Sequence, residues 1–284
     1  MDNDNIDKTP KTITSLEEIN QIIKSKDVAY ASHFKVLSLD KEVPFNEINT
    51  SQQKRLAKSI IDSEVYNTEF IFTLRNILKE NCQDMTINVD DLTVIDKLLL
   101  AVALRIKSIG NVITVELPQE DGSSIKVDLN LIDIYNNALS TIKNIEPKIY
   151  EDNYFIVKCS IPTIGVEYGL ENELRKDSSA IDIENVTELR QTIGEAFIND
   201  IVKYVSGVSV KTDDGIIPVD WQSFNFKNRI KIIETFKSGL LKDIMDYISG
   251  VRDEIDKVEL VNFKIGDKQH SRRLTIDGNF FMIS

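Results

Sequence analysis

Apolar residues recur at helical spacing along much of this chain, and helix-start residues stand where each pattern begins. Ser15 and Glu18 have capping-box spacing, and Leu16, Ile19 and Ile23 follow on one face, which predicts a helix over about 15–25. Ser51 can cap a second helix that carries Leu56, Ile60 and Ile61 along one side. Val65, Phe70, Ile71, Leu74, Ile77 and Leu78 extend the helical period to about 80. The clearest helix follows in DDLTVIDKLLLAVALRIKSIG. There Thr93 is the N-cap, Asp96 lies in the first turn, Lys107 lies in the last and Gly110 is the stop. This segment is apolar on most sides, so it reads as a central core helix with Leu99, Val102 and Ala103 nearly fully buried.

After Gly110 the period changes from that of a helix to that of a strand. VITVEL and IKVDL alternate at period two around PQEDGSS, which predicts a hairpin of 112–117 with 125–129 and Asp121-Gly122 in its turn. Residues 130–143 return to a helical pattern, and KIYEDNYFIVKCSI is strand-rich up to Pro162 and Gly165. A helix is expected at about 187–205, with Leu189, Ile193, Phe197, Ile201 and Val202 on its buried side. GVSVKTDDGIIPVDW reads as a second hairpin turning at Asp214-Gly215. Residues 225–255 read as two helices broken near Ser238-Gly239, and 258–283 as a third β pair. The expected fold class is therefore α+β, mainly helical with several antiparallel β-hairpins. Residues 1–12, Asp/Asn-rich, are expected to be a disordered tail. An N-terminal helical lobe with a hairpin over 13–146 and a C-terminal α+β lobe over 147–284 meet at a soft boundary near Pro147, a single domain being the alternative. No fixed repeat period links the hairpins.

Composition narrows the function classes. The 284 residues are 42% hydrophobic and 28% charged, ordinary values for a chain that buries a core. The net charge is −12, and it is spread evenly: residues 1–142 hold 15 basic and 22 acidic groups, and residues 143–284 hold 19 and 24. The tightest basic clusters, Lys54-Arg55 with Lys58 and Arg272-Arg273, are short, so no nucleic-acid partner is expected. The longest apolar run, Leu98 to Leu104, is far short of a bilayer span, and the polar N-terminus lacks the features of a signal peptide. Cys82 and Cys159 form no CxxC pair and read as buried free thiols.

Catalytic and metal-binding patterns are not found. His33 and His270 are the only histidines, and HExxH, GxxxxGK[ST], GxGxxG and GxSxG do not occur. The adjacent acidic pairs Asp90-Asp91, Glu120-Asp121, Asp213-Asp214 and Asp253-Glu254 sit at turns or element ends, where carboxylates serve solvation and helix dipoles. Asp213-Asp214-Gly215 lacks the alternating oxygen ligands and distal Glu of a calcium loop. The expectation is a non-enzyme with no catalytic residue, no cofactor and no metal. Trp221 reads as a core anchor or an interface residue. Phe280, Phe281, Met282 and Ile283 read as a last core strand or a docking element, so Trp221, Phe280, Phe281 and Met282 are the candidate partner contacts.

Two regions carry a resemblance. One runs from HFKVLSLDKE through DDLTVIDKLLLAVALRIKSIGN to VITVEL and IKVDL; the other is DWQSFNFKNRIKIIETFKSGLLKDIMDYI with the terminal DGNFFMIS. Together they resemble the baseplate-hub family of contractile-tailed bacteriophages, which contains hub subunits and a hub-assembly factor. The resemblance covers most of the chain after residue 30, with Arg105, Gly110, Arg229 and Tyr247 as its most family-like positions. Some relatives carry paired cysteines in the hairpin turn, where a metal could bind; here the turn is PQEDGSS, without cysteine. The resemblance implies no enzyme activity. It implies a structural or assembly protein that binds other baseplate hub and tail proteins in a hetero-oligomer, located in the host cytoplasm during assembly and in the virion tail baseplate. A phage-encoded adaptor that binds a host or phage protein outside the virion is the alternative, and an enzyme with an unrecognised site is a third.

Overall fold

The computed structural model describes residues 13, 15–61, 68–118, 124–178, 198, 200–265 and 268–282. Helix α1 (Leu16–Tyr30) starts where the capping residues place it, with the Ser15 hydroxyl accepting from the Glu18 amide at 3.1 Å. Next comes a hairpin that the sequence pattern does not announce. Strands β1 (Ser32–Val36) and β2 (Lys41–Phe45) pair antiparallel and bury Phe34, Val36, Val43 and Phe45 on one face. Their connection is a 3-10 turn, Leu37–Leu39, closed by Asp40 in the left-handed region at φ 49°. A left-handed aspartate does without the glycine that marks most such turns.

Helices α2 (Thr50–Ile61) and α3 (Thr68–Asn81) pack together. The Arg55 guanidinium grips the Glu80 carboxylate at 2.8 and 2.9 Å, and Gln52 donates to Asn81 at 2.8 Å. Helix α4 (Val94–Ser108) has a reciprocal capping box between Thr93 and Asp96. The Asp96 carboxylate, 1% exposed, also accepts from the Leu37 and Ser38 amides, so one side chain both starts α4 and anchors the first hairpin to it. Leu99, Val102 and Ala103 are 0, 0 and 2% exposed, as the all-round apolar pattern predicts.

Strands β3 (Val112–Pro118) and β4 (Ser124–Asn130) pair antiparallel as expected, with Val115 opposite Val127. Their turn lies outside the described residues. Helix α5 (Leu131–Thr141) is capped by Asn130. Strands β5 (Lys148–Glu151) and β6 (Phe155–Cys159) are followed by α6 (Ile164–Ser178), a helix not foreseen from the sequence. The helix expected at 187–205 falls largely outside the described residues; residues 200–204 are helical and bury Ile201 and Val202. Strands β7 (Val205–Thr212) and β8 (Gly215–Val219) then complete one antiparallel sheet of order β5-β6-β7-β8.

Helices α7 (Phe226–Ile233) and α8 (Ser238–Glu259) break close to the expected point. The third β pair is shorter than expected: β9 (Leu260–Ile265) pairs with β10 (Lys268–Arg273) and ends there. The described part of the last apolar run, Phe280 to Met282, is not a strand. Asn279–Phe281 form a 3-10 turn, with the Asp277 carboxylate accepting from the Asn279 and Phe280 amides. The fold is thus α+β, with helices around small antiparallel sheets. A contiguous core runs from Phe34 to Phe281 through both expected lobes, with α4 packed against β1, α5, α6 and α8. The expected 1–12 tail lies outside the described residues. No helix among the described residues is long and apolar enough to cross a membrane.

Candidate interaction surface

The four-stranded sheet has two unlike faces, because side chains alternate along each strand. Tyr150, Val157, Val208 and Val219 are cross-strand neighbours on the inner face. That face packs toward α8, and Phe155 lies 4.9 Å from the ring of Phe236 in the loop before it. On the outer face Ile149 stands opposite Lys158, and Ile156, Ser209 and Pro218 run across in register. These residues, with Gly207 and the backbone approach to Trp221, line a shallow open depression of about 420 Å³.

Large apolar side chains are exposed at both edges of this sheet. Ile149 on β5 is 68% exposed, and Ile216 and Ile217 on β8 are 62% and 56% exposed. Tyr154, in the β5–β6 turn, is 53% exposed, with the Lys237 ammonium 5.3 Å from its ring centre. The edges also carry features that limit indiscriminate pairing. Strand β5 is four residues long, Pro218 removes an amide donor from β8, and Lys158 puts a charge on the outer face.

A second apolar surface lies on α1. Leu16, Ile19 and Ile23, at the spacing of one helix face, are 72, 42 and 50% exposed, and Ile13 before them is 44% exposed. The spacing is readable in the sequence. Its outward exposure is not, since the same pattern usually marks the buried side of a helix.

The four candidate contact residues are not brought together. Trp221 is 3% exposed, and its indole nitrogen donates to the Val205 carbonyl at 2.9 Å. Arg229 holds the turn around it by donating to the Trp221 and Gln222 carbonyls. Phe280 and Phe281 are 2% and 1% exposed and meet edge to face, with Phe281 beside Phe70 of α3. Those three side chains fill the core. Met282 alone of the four offers surface, at 45% exposure.

Among the described residues, nucleophiles and metal ligands are not gathered either. Cys82 and Cys159 are buried free thiols; burial pushes the Cys159 thiol up to about 12 and raises Cys82 as well, so neither forms a thiolate readily at neutral pH. His33 lies on β1 and His270 on β10, where it stacks on Phe263. The described residues contain no group of three or more His, Cys, Asp or Glu placed to hold a metal ion. Comparison with known proteins finds no matching family model, no matching curated protein and no matching solved structure.

Proposed function

We propose that this chain is a non-enzymatic structural or assembly protein of the bacteriophage tail baseplate hub, acting through protein–protein contacts. The observation that supports a contact role is the outer face of the four-stranded sheet, bordered by exposed Ile149 and Ile216 at its two edges. A sheet edge offers unpaired backbone groups, and exposed isoleucines beside it add apolar area that a partner strand or helix can cover. The polar Lys158 and Ser209 within the same face suit a partner that binds in one register. The hub assignment rests on the sequence resemblance of residues 33–129, 220–248 and 277–284 and carries with it the host cytoplasm during assembly and the virion tail as locations. Its partners in this reading are other hub and tail proteins.

Co-expression with candidate hub proteins followed by size-exclusion chromatography tests the reading. Co-elution with at least one of them is expected, weakened when Ile149 and Ile216 are both changed to Lys. Elution alone with every tail component tried would overturn it.

A further inference from the structure

We propose a binding site for a tetrahedral oxyanion, a phosphate or sulfate group, in the cavity between the C-terminal end of α4, strand β3 and residues 272–282. Its floor is Arg105. The residue is 3% exposed, yet each of the three hydrogen bonds of its guanidinium ends on a neutral carbonyl. Nε donates to Phe280 at 2.8 Å, Nη1 to Gly110 at 2.5 Å and Nη2 to Val112 at 3.3 Å. No carboxylate among the described residues forms an ion pair with it. A buried cation without an anion is costly, and proteins resolve that cost with an opposite charge. The other deeply buried cation among the described residues, Lys97, follows the rule and pairs with Glu167.

The cavity beside Arg105 measures about 290 Å³ and is also lined by Arg272, Arg273, Thr275 and Asn279. One of the cations there is already paired. Arg273 is held by Asp256 and Glu259, while the one lining carboxylate, Asp277, keeps its negative charge and accepts the amides of its own turn. Arg272 is different: it donates to the Glu116 carbonyl and, like Arg105, has no carboxylate partner among the described residues. Two guanidinium groups without a carboxylate partner among the described residues, Arg105 buried on α4 and Arg272 exposed on β10, therefore line one cavity in a chain whose net charge is −12. The two guanidinium groups outnumber the one lining carboxylate, and their planar forks of N–H donors suit the several oxygens of phosphate or sulfate better than they suit chloride. The volume exceeds that of a bare ion, so an organic phosphate, with its ester group over Ile113 and Met282, also fits. This inference stands independently of the hub assignment, since it rests on another part of the molecule.

Isothermal titration of the full chain with inorganic phosphate and with sulfate, at constant ionic strength set by chloride, tests the site. Saturable one-to-one binding and a rising melting temperature with both anions are expected. Arg272→Ala, at an exposed position, should keep the wild-type circular dichroism and weaken binding at least about tenfold. A tighter complex with a phosphate monoester than with inorganic phosphate would identify an esterified ligand; equal affinity would identify the free ion. Absence of saturation by about 10 mM, or affinity unchanged in both Arg272→Ala and Arg105→Lys, would overturn the proposal.

Discussion

The side chain of Arg105 donates from Nε to the carbonyl of Phe280 at 2.8 Å, across 175 residues of chain. That bond joins the end of α4 to the turn that seats Phe280 and Phe281 in the core, so the central helix and the last described turn share one packing unit. Phe281, 1% exposed and beside Phe70, is the test of that unit. Phe281→Ala should lower unfolding stability by about 3–5 kcal/mol, seen as a lower urea midpoint with little change in slope.

The neighbouring Gly278 is constrained by space and not by backbone angle. Its φ of −61° is ordinary, but an added Cβ would lie 2.3 Å from Ile60 Cγ1 and 2.7 Å from the Leu56 carbonyl oxygen. Gly278→Ala should therefore cost about 1–3 kcal/mol. Adding Ile60→Ala removes one of the two clashes, so thermal melts of the double variant should show at most partial recovery of the glycine defect.

Leu99, with no exposed surface, lies in the helix around which the other elements pack. An aspartate there would leave a buried carboxylate without a partner, at a cost of several kcal/mol. Leu99→Asp should abolish soluble expression; a soluble variant with the wild-type melting temperature would show that α4 is not central.

Asp90 predicts the acid limb of stability. Partial burial alone would raise its pKa, but hydrogen bonds from Arg75 at 2.6 and 2.7 Å and from Lys79 at 2.7 Å outweigh that and hold the carboxyl below its ordinary value. A lowered folded pKa contributes stability that is present above the unfolded value of about 4 and is lost as pH falls through the folded value. Asp90→Asn should lower stability at neutral pH by about 1–3 kcal/mol and flatten its decline below about pH 4, measured by urea unfolding at several pH values.

Elements with local signals were legible in the sequence, and those defined by distant partners were not. Helix α4 was legible because Thr93, Asp96 and Gly110 bracket an apolar run. The β7–β8 hairpin was legible because Asp214-Gly215 marks its turn, with Gly215 at φ 132°. The β1–β2 hairpin was missed because Asp40 turns the chain without a glycine and a 3-10 turn interrupts the alternation. Helix α6 was missed because Gly165 and Gly169 weaken its pattern. Gly165 sits there because its Cα approaches Asp90 so closely that a Cβ would meet the Asp90 carbonyl at 3.0 Å. The pairing of β6 with β7, which turns two hairpins into one sheet, depends on Val157 meeting Val208 and has no local signature. The same limit applied to the surface. FFMI reads as a strand, yet Asp277 holds Phe280 and Phe281 in a turn that sends both inward, and only the assembled fold shows that Ile149, Ile216 and the α1 stripe face outward.

The bond between Arg105 and Phe280 also sets an order of events during synthesis. At about 5–20 residues per second, a ribosome needs roughly 10–35 seconds to add the 175 residues that separate them. Throughout that interval α4 exists without the phenylalanines that complete its packing, and Phe70 waits without Phe281. The chain is therefore exposed to chaperones and to premature partners throughout that interval, and its core cannot close until Phe280 and Phe281 have been made.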